Sequence, residues 1–122
     1  MRASSVWQSF KFAFAGLWHV FRSQRNAKIH AAVAATVILL GLWLKLTAAG
    51  WAVIALTIGV VFAAEAMNTV VEALVDLAAP EFHPLAKIAK DAAAGAVLLL
   101  LAMAAVIVGL LILGPPLFRT LF

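Results

Sequence analysis

Residues 51–79 read WAVIALTIGVVFAAEAMNTVVEALVDLAA, an apolar run with acidic and amide side chains in its second half. These polar side chains are Glu65, Asn68, Glu72 and Asp76. Their spacing of three, four and four residues predicts that they share one helix face, within a sector of roughly 80°. A carboxylate near the centre of a bilayer costs roughly 2.5–3.5 kcal/mol, so this face is not expected to point towards lipid.

The whole chain has the composition of a membrane protein. Of its 122 residues, 66% are hydrophobic and 11% are charged, and the mean hydropathy is +1.12. A water-soluble domain needs more charge than this to cover its surface. The chain has no cysteine, which excludes disulfides, thiolate metal sites and cysteine nucleophiles. The net charge of +4 is small and scattered, so we expect no nucleic-acid partner.

Four segments fill the single domain that this length allows. Residues 5–27 place aromatic side chains at helical spacing opposite basic ones, which is typical of an amphipathic surface helix. Packing of that helix against the protein's own spans explains the pattern equally well. Membrane spans are expected at about 29–46, 51–79 and 92–114, with a polar loop at about 80–91. The expected fold is therefore all-α and integral to the membrane, with three transmembrane helices and one surface helix.

Basic residues and prolines refine this prediction. Most basic residues precede the first span or lie between the second and third, and only Lys45 and Arg119 fall on the other side. The positive-inside bias therefore predicts that the N terminus and the 80–91 loop are both cytoplasmic. Pro80 marks the expected end of the second span, and Pro115 marks that of the third.

The polar face of the second span has two interpretations. It can be structural, with its amide bonded to neighbouring helices and its acids paired with basic residues of the N-terminal segment. Those basic residues are Lys11, Arg22 and Arg25. It can also be functional, because clusters of oxygen ligands suit hard cations, especially Mg²⁺ shared with phosphate. His19 and His30 are weaker candidates for a function and are expected to be interfacial.

The 80–91 loop supplies groups that complement this face. Lys90 can hold a phosphate as a point charge, and Asp91 can hold a metal or ribose hydroxyls. The sequence has neither a GxxxxGK[ST] motif nor a GxGxxG motif, so a nucleotide site of a familiar soluble design is excluded.

Two strings of residues resemble a known family. Residues 65–76 read EAMNTVVEALVD, and residues 81–91 read EFHPLAKIAKD. Together with SFKFAF at 9–14, they resemble the small prokaryotic diacylglycerol kinases over nearly the whole chain, and within that family the undecaprenol kinases of Gram-positive type. The resemblance implies a homotrimer in the bacterial inner membrane. It also implies transfer of the γ-phosphate of MgATP to a lipid hydroxyl, expected to be undecaprenol and otherwise diacylglycerol.

The resemblance further implies roles for individual residues. Glu65 matches the general base that takes the proton of the lipid hydroxyl. Asn68 and Asp76 are expected to shape the substrate site, and Glu72 to hold the metal and the nucleotide. Other positions match the lining of the nucleotide site: Phe12, Glu81, Phe82, His83, Lys90 and Asp91.

One position departs from the family pattern. Gln24 precedes the Arg25-Asn26 pair, where the family usually has a second metal-binding Glu. Glu72, alone or with Asp91 and the ATP phosphates, can still hold Mg²⁺, because this ion often uses only one or two carboxylates. Weaker metal affinity or reduced turnover is expected. The alternatives to an active kinase are an impaired or non-enzymatic protein of the same fold, and a small ion or proton carrier.

Overall fold

The computed structural model describes residues 4–122, which form helices joined by short turns. In chain order these are α1 (Val6–Ser23), α2 (Arg25–Leu44), α3 (Ala48–Ala78), α4 (Pro84–Val106), a π-helical segment (Ile107–Leu113) and α5 (Gly114–Leu121). Three helical stretches are long and apolar enough to cross a membrane: α2, α3, and the continuous stretch from α4 through α5. The predicted all-α architecture with three helices of spanning length and composition is confirmed.

The N-terminal segment is divided into two elements. The Ser5 hydroxyl accepts a hydrogen bond from the Gln8 backbone N–H at 3.2 Å, and the Gln8 side-chain oxygen accepts one from the Ser4 N–H at 2.8 Å. The first bond satisfies a donor that the first turn of α1 leaves free, and the second holds the chain just before the helix. α1 ends at Ser23 because Gln24 is extended, with φ −102° and ψ 116°, and α2 begins directly after it. The segment predicted as one helix therefore contains a corner of a single residue.

A tight turn joins α2 to α3. α2 ends where Lys45 adopts a left-handed backbone conformation (φ 56°, ψ 56°), and the Leu46 N–H bonds back to the Gly41 carbonyl oxygen. The Thr47 hydroxyl then caps α3 by accepting a hydrogen bond from the Gly50 N–H at 3.2 Å. Because the connection is so short, α2 and α3 pack as antiparallel neighbours.

α3 is the central helix, since it packs against α1, α2, α4 and the π-helical segment. Its inward face buries Ile54, Val61 and Glu65. At 1.5 Å per residue its 31 residues extend over about 46 Å, whereas the hydrocarbon core of a bilayer is about 30 Å thick. When α3 starts at one interface, its last turns, with Glu72 and Asp76, therefore extend past the apolar layer on the other side.

The connection from α3 to α4 is shorter than the polar loop predicted over 80–91. α3 ends at Ala78 and α4 already begins at Pro84, so only residues 79–83 lie outside a helix. The reason is a good helix start: the His83 ring Nδ1 accepts a hydrogen bond from the Leu85 N–H at 3.1 Å. A proline in the first turn needs no hydrogen-bond partner for its nitrogen. The charged residues after Pro84 therefore project from a helix.

The third span continues past its two prolines. Over Ile107–Leu113 the helix is π-helical, and the Gly114 N–H bonds to the Gly109 carbonyl oxygen, five residues earlier. Pro115 and Pro116 have no N–H to donate, and their rings crowd the carbonyl groups of the preceding turn. We attribute the wider π turns to this crowding. The helix then resumes as α5, where the sequence predicted an end.

The close packing at the α2–α3 turn predicts a difference between two glycines. A Cβ atom at Gly41 would lie 2.8 Å from the Trp51 ring and 3.1 Å from Leu46, whereas one at Gly59 would meet nothing within 4 Å. Gly41→Leu should lower the free energy of unfolding by about 1–3 kcal/mol through overpacking. Gly59→Leu should change it much less. SDS-induced unfolding in one detergent, followed by circular dichroism, measures both variants, and equal stability would contradict the packing.

Candidate functional site

Two other predicted site residues, Gln24 and Asn68, form hydrogen bonds with Glu72. The Gln24 amide donates to Glu72 Oε2 at 3.3 Å, and the Asn68 amide donates to Glu72 Oε1 at 3.2 Å. Asn68 lies one turn before Glu72 on α3, so the (i, i+4) spacing brings the two together. Gln24 comes from the corner between α1 and α2 and contacts Glu72 across the helix interface. Two amides thus hold one carboxylate.

The amide of Gln24 changes the electrostatics at this point. A glutamate at the same position would place two negative charges side by side, which is unfavourable unless a cation lies between them. The amide instead donates a hydrogen bond to Glu72. The Glu72 carboxylate is therefore partnered without a cation.

The deeper acid, Glu65, contacts a histidine that the sequence made only a weak functional candidate. Glu65 is 3% exposed, and its Oε1 contacts Nδ1 of His30 on α2, whose side chain is 16% exposed. The sequence makes His30 only a weak functional candidate, but the structure places its ring against Glu65. Burying a carboxylate without a partner is costly, and the imidazole supplies that partner.

The position of His30 has a simple geometric origin. Gln24 and Glu72 lie side by side, Gln24 where α2 begins and Glu72 near the end of α3. His30 lies six residues after Gln24 on α2, a rise of about 9 Å. Glu65 lies seven residues before Glu72 on α3, a rise of about 10 Å. In an antiparallel pair these two positions face each other at one depth. An alignment of α2 and α3 as an antiparallel pair in this register would have predicted that His30 lies opposite Glu65.

Asn68 has an unused hydrogen-bond acceptor. Its amide nitrogen donates to Glu72, but its Oδ1 is buried without a partner in the described part of the chain. Buried polar atoms are nearly always satisfied, so this oxygen fits a ligand, an ion or a water molecule. Asn68 Oδ1, the carboxylate oxygens of Glu72 and the carbonyl oxygen of Gln24 are donors of the type that Mg²⁺ prefers, although both amides turn their NH₂ groups towards Glu72.

This donor set is incomplete on its own. Within residues 4–122, no group of three or more His, Cys, Asp or Glu side chains could hold a metal ion. Mg²⁺ usually keeps several waters and binds through one or two carboxylates together with substrate phosphates. The residues around Glu72 fit that mode of binding.

Lys90 and Asp76 link α4 to α3 next to Glu72. The Lys90 ammonium donates to Asp76 Oδ1 at 2.5 Å. Lys90 precedes the apolar part of α4, and the hydrogen bond to Asp76, with smaller help from the charge of Glu72, raises the pKa of Lys90 above its usual value. The side chain therefore stays charged at neutral pH. The pair is largely exposed, so solvent weakens it and it can open to admit an anion.

The other predicted residues do not join the Glu72 cluster. Asp91 pairs with Lys87 one turn earlier on α4 at 2.5 Å, and both are exposed. His83 caps α4. Three further side chains are exposed around this end of the molecule or on α1: Phe12, Glu81 and Phe82. Across residues 4–122, the basic residues considered as structural partners of the acids form no salt bridge: Lys11, Arg22 and Arg25.

Similarity to known proteins identifies the family. The profile of the family "Prokaryotic diacylglycerol kinase" matches residues 11–113. The chain is 46% identical to the undecaprenol kinase of Bacillus subtilis over 110 residues, which is 90% of this chain and 89% of that protein. It is 48% identical to the diacylglycerol kinase of Synechocystis over 116 residues, which is 94% of this chain and 66% of that protein. The resemblance seen in residues 65–76 and 81–91 is confirmed, and the chain belongs to the prokaryotic diacylglycerol kinase family.

Proposed function

We propose that the protein is an ATP-dependent lipid kinase of a bacterial inner membrane, with undecaprenol as the expected substrate and diacylglycerol as the alternative. The observation that carries the proposal is the division of α3 into two chemically different positions. Glu65 is buried against His30, and Glu72 lies about 10 Å farther along the helix, near the exposed Lys90–Asp76 pair. The names of the two relatives support a lipid alcohol as the acceptor.

The buried position suits a lipid hydroxyl. In the proposed reaction the Glu65 carboxylate takes the hydroxyl proton while the lipid oxygen bonds to the γ-phosphorus, and the bond to the bridging oxygen breaks to release ADP. His30 contacts the carboxylate and holds it in place for that proton transfer. A hydroxyl anchored by hydrocarbon reaches this depth from the bilayer, whereas a soluble alcohol does not.

The exposed position suits the nucleotide. When Lys90 leaves Asp76, its ammonium can neutralise charge on the transferred phosphate. Glu72, with carbonyl oxygens of Asn68 and Gln24, would hold Mg²⁺, which supplies charge neutralisation on the ATP phosphates. Exposed side chains nearby and on α1 are proposed to contact the nucleotide: Phe12, Glu81, Phe82, His83 and Asp91.

The proposed membrane arrangement places the nucleotide position in the cytoplasm. The positive-inside bias puts the N terminus and the turn at 79–83 on that side. α1 buries none of its residues, and aromatic side chains such as Trp7 and Trp18 remain exposed, which supports its placement in the headgroup layer. Large apolar side chains also remain exposed on all three spans, and we propose that some of them meet other copies in a homotrimer.

The carrier alternative has little support. It leaves the Lys90–Asp76 pair and the oxygen donors around Glu72 without a role. An impaired kinase remains a distinct outcome, and it depends on Gln24.

Replacing the proposed base tests the reaction. Glu65→Gln keeps the side-chain volume but cannot take a proton, so kcat should fall by about 100-fold or more. The turnover is measured as transfer of labelled phosphate from MgATP to undecaprenol or diacylglycerol in bicelles. Retained ATP binding by the variant shows that it is folded. Equal turnover would remove Glu65 as the base. No labelled lipid with the unaltered protein would overturn the kinase proposal.

A second variant tests the role of His30. His30→Phe keeps an aromatic ring but removes the polar contact with Glu65, so kcat should fall by about tenfold while KM for ATP stays the same. His19→Phe on α1 makes the same change at an exposed site and should be nearly silent. An increase in KM for ATP with unchanged kcat would contradict a positioning role.

Restoring the missing carboxylate tests the metal position. Gln24→Glu should lower the Mg²⁺ concentration needed for half-maximal activity by about tenfold. Without Mg²⁺ the variant should lose about 1–3 kcal/mol of stability, because the hydrogen bond to Glu72 becomes a repulsion. Gln8→Glu on α1 adds the same charge away from Glu72 and serves as the control. An unchanged Mg²⁺ requirement would place the ion elsewhere.

A further inference from the structure

An apolar cavity of about 300 Å³ lies between α2, α3 and the third span. Side chains from all three helices line it, among them Val33, Ile54, Val61, Leu101 and Ala104, and His30 lies at one end. We propose that this cavity binds the part of the substrate's hydrocarbon chain next to the reacting hydroxyl. The proposal rests on the proposed function, because it takes a lipid alcohol as the ligand.

The cavity begins where the proposed reaction takes place. Its lining includes His30, which contacts Glu65, and Val61 and Phe62, which lie one turn from Glu65 on α3. From Phe62 back to Ile54 the lining extends about 12 Å along α3, away from the charged end of that helix. A lipid with its hydroxyl at Glu65 therefore directs its chain into the cavity and towards the bilayer interior.

The chemistry of the lining fits a hydrocarbon and little else. Apart from His30, the polar side chain in the wall is Thr57, and its hydroxyl already donates to the Val53 carbonyl oxygen at 2.7 Å. A polar headgroup would find no partner here and would lose its hydration. The volume is at the lower end of ligand cavities, which matches one chain segment and not two complete chains.

The π-helical segment forms part of the wall. Val108, Gly109 and Leu113 of this segment line the cavity, and a Cβ atom at Gly109 would meet nothing within 4 Å. π turns inside α-helices often occur at functional sites. The irregular part of the third span thus shapes the space that would receive the chain.

A photocrosslinking experiment tests the proposal without nucleotide. The probe is a polyprenol with a diazirine near its hydroxyl end, added to the full-length protein in bicelles. The crosslinked residues, mapped by mass spectrometry, should be cavity residues such as Val33, Leu101 and Val108. Unlabelled polyprenol and unlabelled diacylglycerol, added as separate competitors, show which lipid alcohol displaces the probe.

Two matched variants locate the binding. Ala104→Leu fills the cavity and should reduce labelling by about tenfold, as expected when roughly two methylene groups of the probe lose their buried site. Ala102→Leu makes the same change on the exposed side of α4 and should leave labelling unchanged. If Ala104→Leu does not fold, the map of labelled residues in the unaltered protein decides the question alone.

The outcomes separate this proposal from the kinase proposal. Labelling of the cavity without any phosphorylated lipid would overturn the kinase and keep the cavity. Phosphorylated lipid with labels only on exposed residues, such as Leu99 and Leu110, would overturn the cavity. Crosslinks from Ala104 to another copy of the chain would show that a neighbouring subunit fills the space, and would also overturn it.

Discussion

A carboxylate buried in a membrane-spanning helix must have a polar partner, and the arrangement of the spans around α3 meets that requirement. Glu65 is almost completely buried, and His30 of α2 reaches it. For this contact to form, α2 and α3 must pack antiparallel with one register. That register depends on the tight turn at Lys45 and on the corner at Gln24, which lie at opposite ends of α2. The contact is therefore a consequence of local geometry at both ends of one helix.

The same register separates two environments along α3. Glu65 is buried against His30, and an apolar cavity begins beside His30. Around Glu72 the neighbours are amides, an ammonium group and exposed acids. Electrostatic interactions are strong where water is excluded and weak where it is present. The proposed proton transfer and the proposed binding of the nucleotide would thus lie about 10 Å apart on one helix.

The sequence predicted much of this arrangement, because hydrophobic periodicity and helix spacing are local properties. The shared face of Glu65 and Glu72 follows from their spacing, and the three apolar helices follow from composition. The contact with His30 was not predicted, since it depends on how two helices align. The early start of α4 depends on a cap by His83, and the π-helical segment depends on how a helix accommodates two prolines. Both are responses of the backbone that composition does not reveal.

Gln24 shows how the fold and the proposed chemistry place different demands on one position. For the fold without a cation, an amide is the better residue, because it donates to Glu72 and avoids a pair of like charges. For binding a divalent cation, a carboxylate is better, since it adds negative charge to the ligand set. With the amide, Glu72 is held by two hydrogen bonds in the absence of a cation. Gln24 therefore favours an ordered Glu72 over a more negative site for the proposed ion.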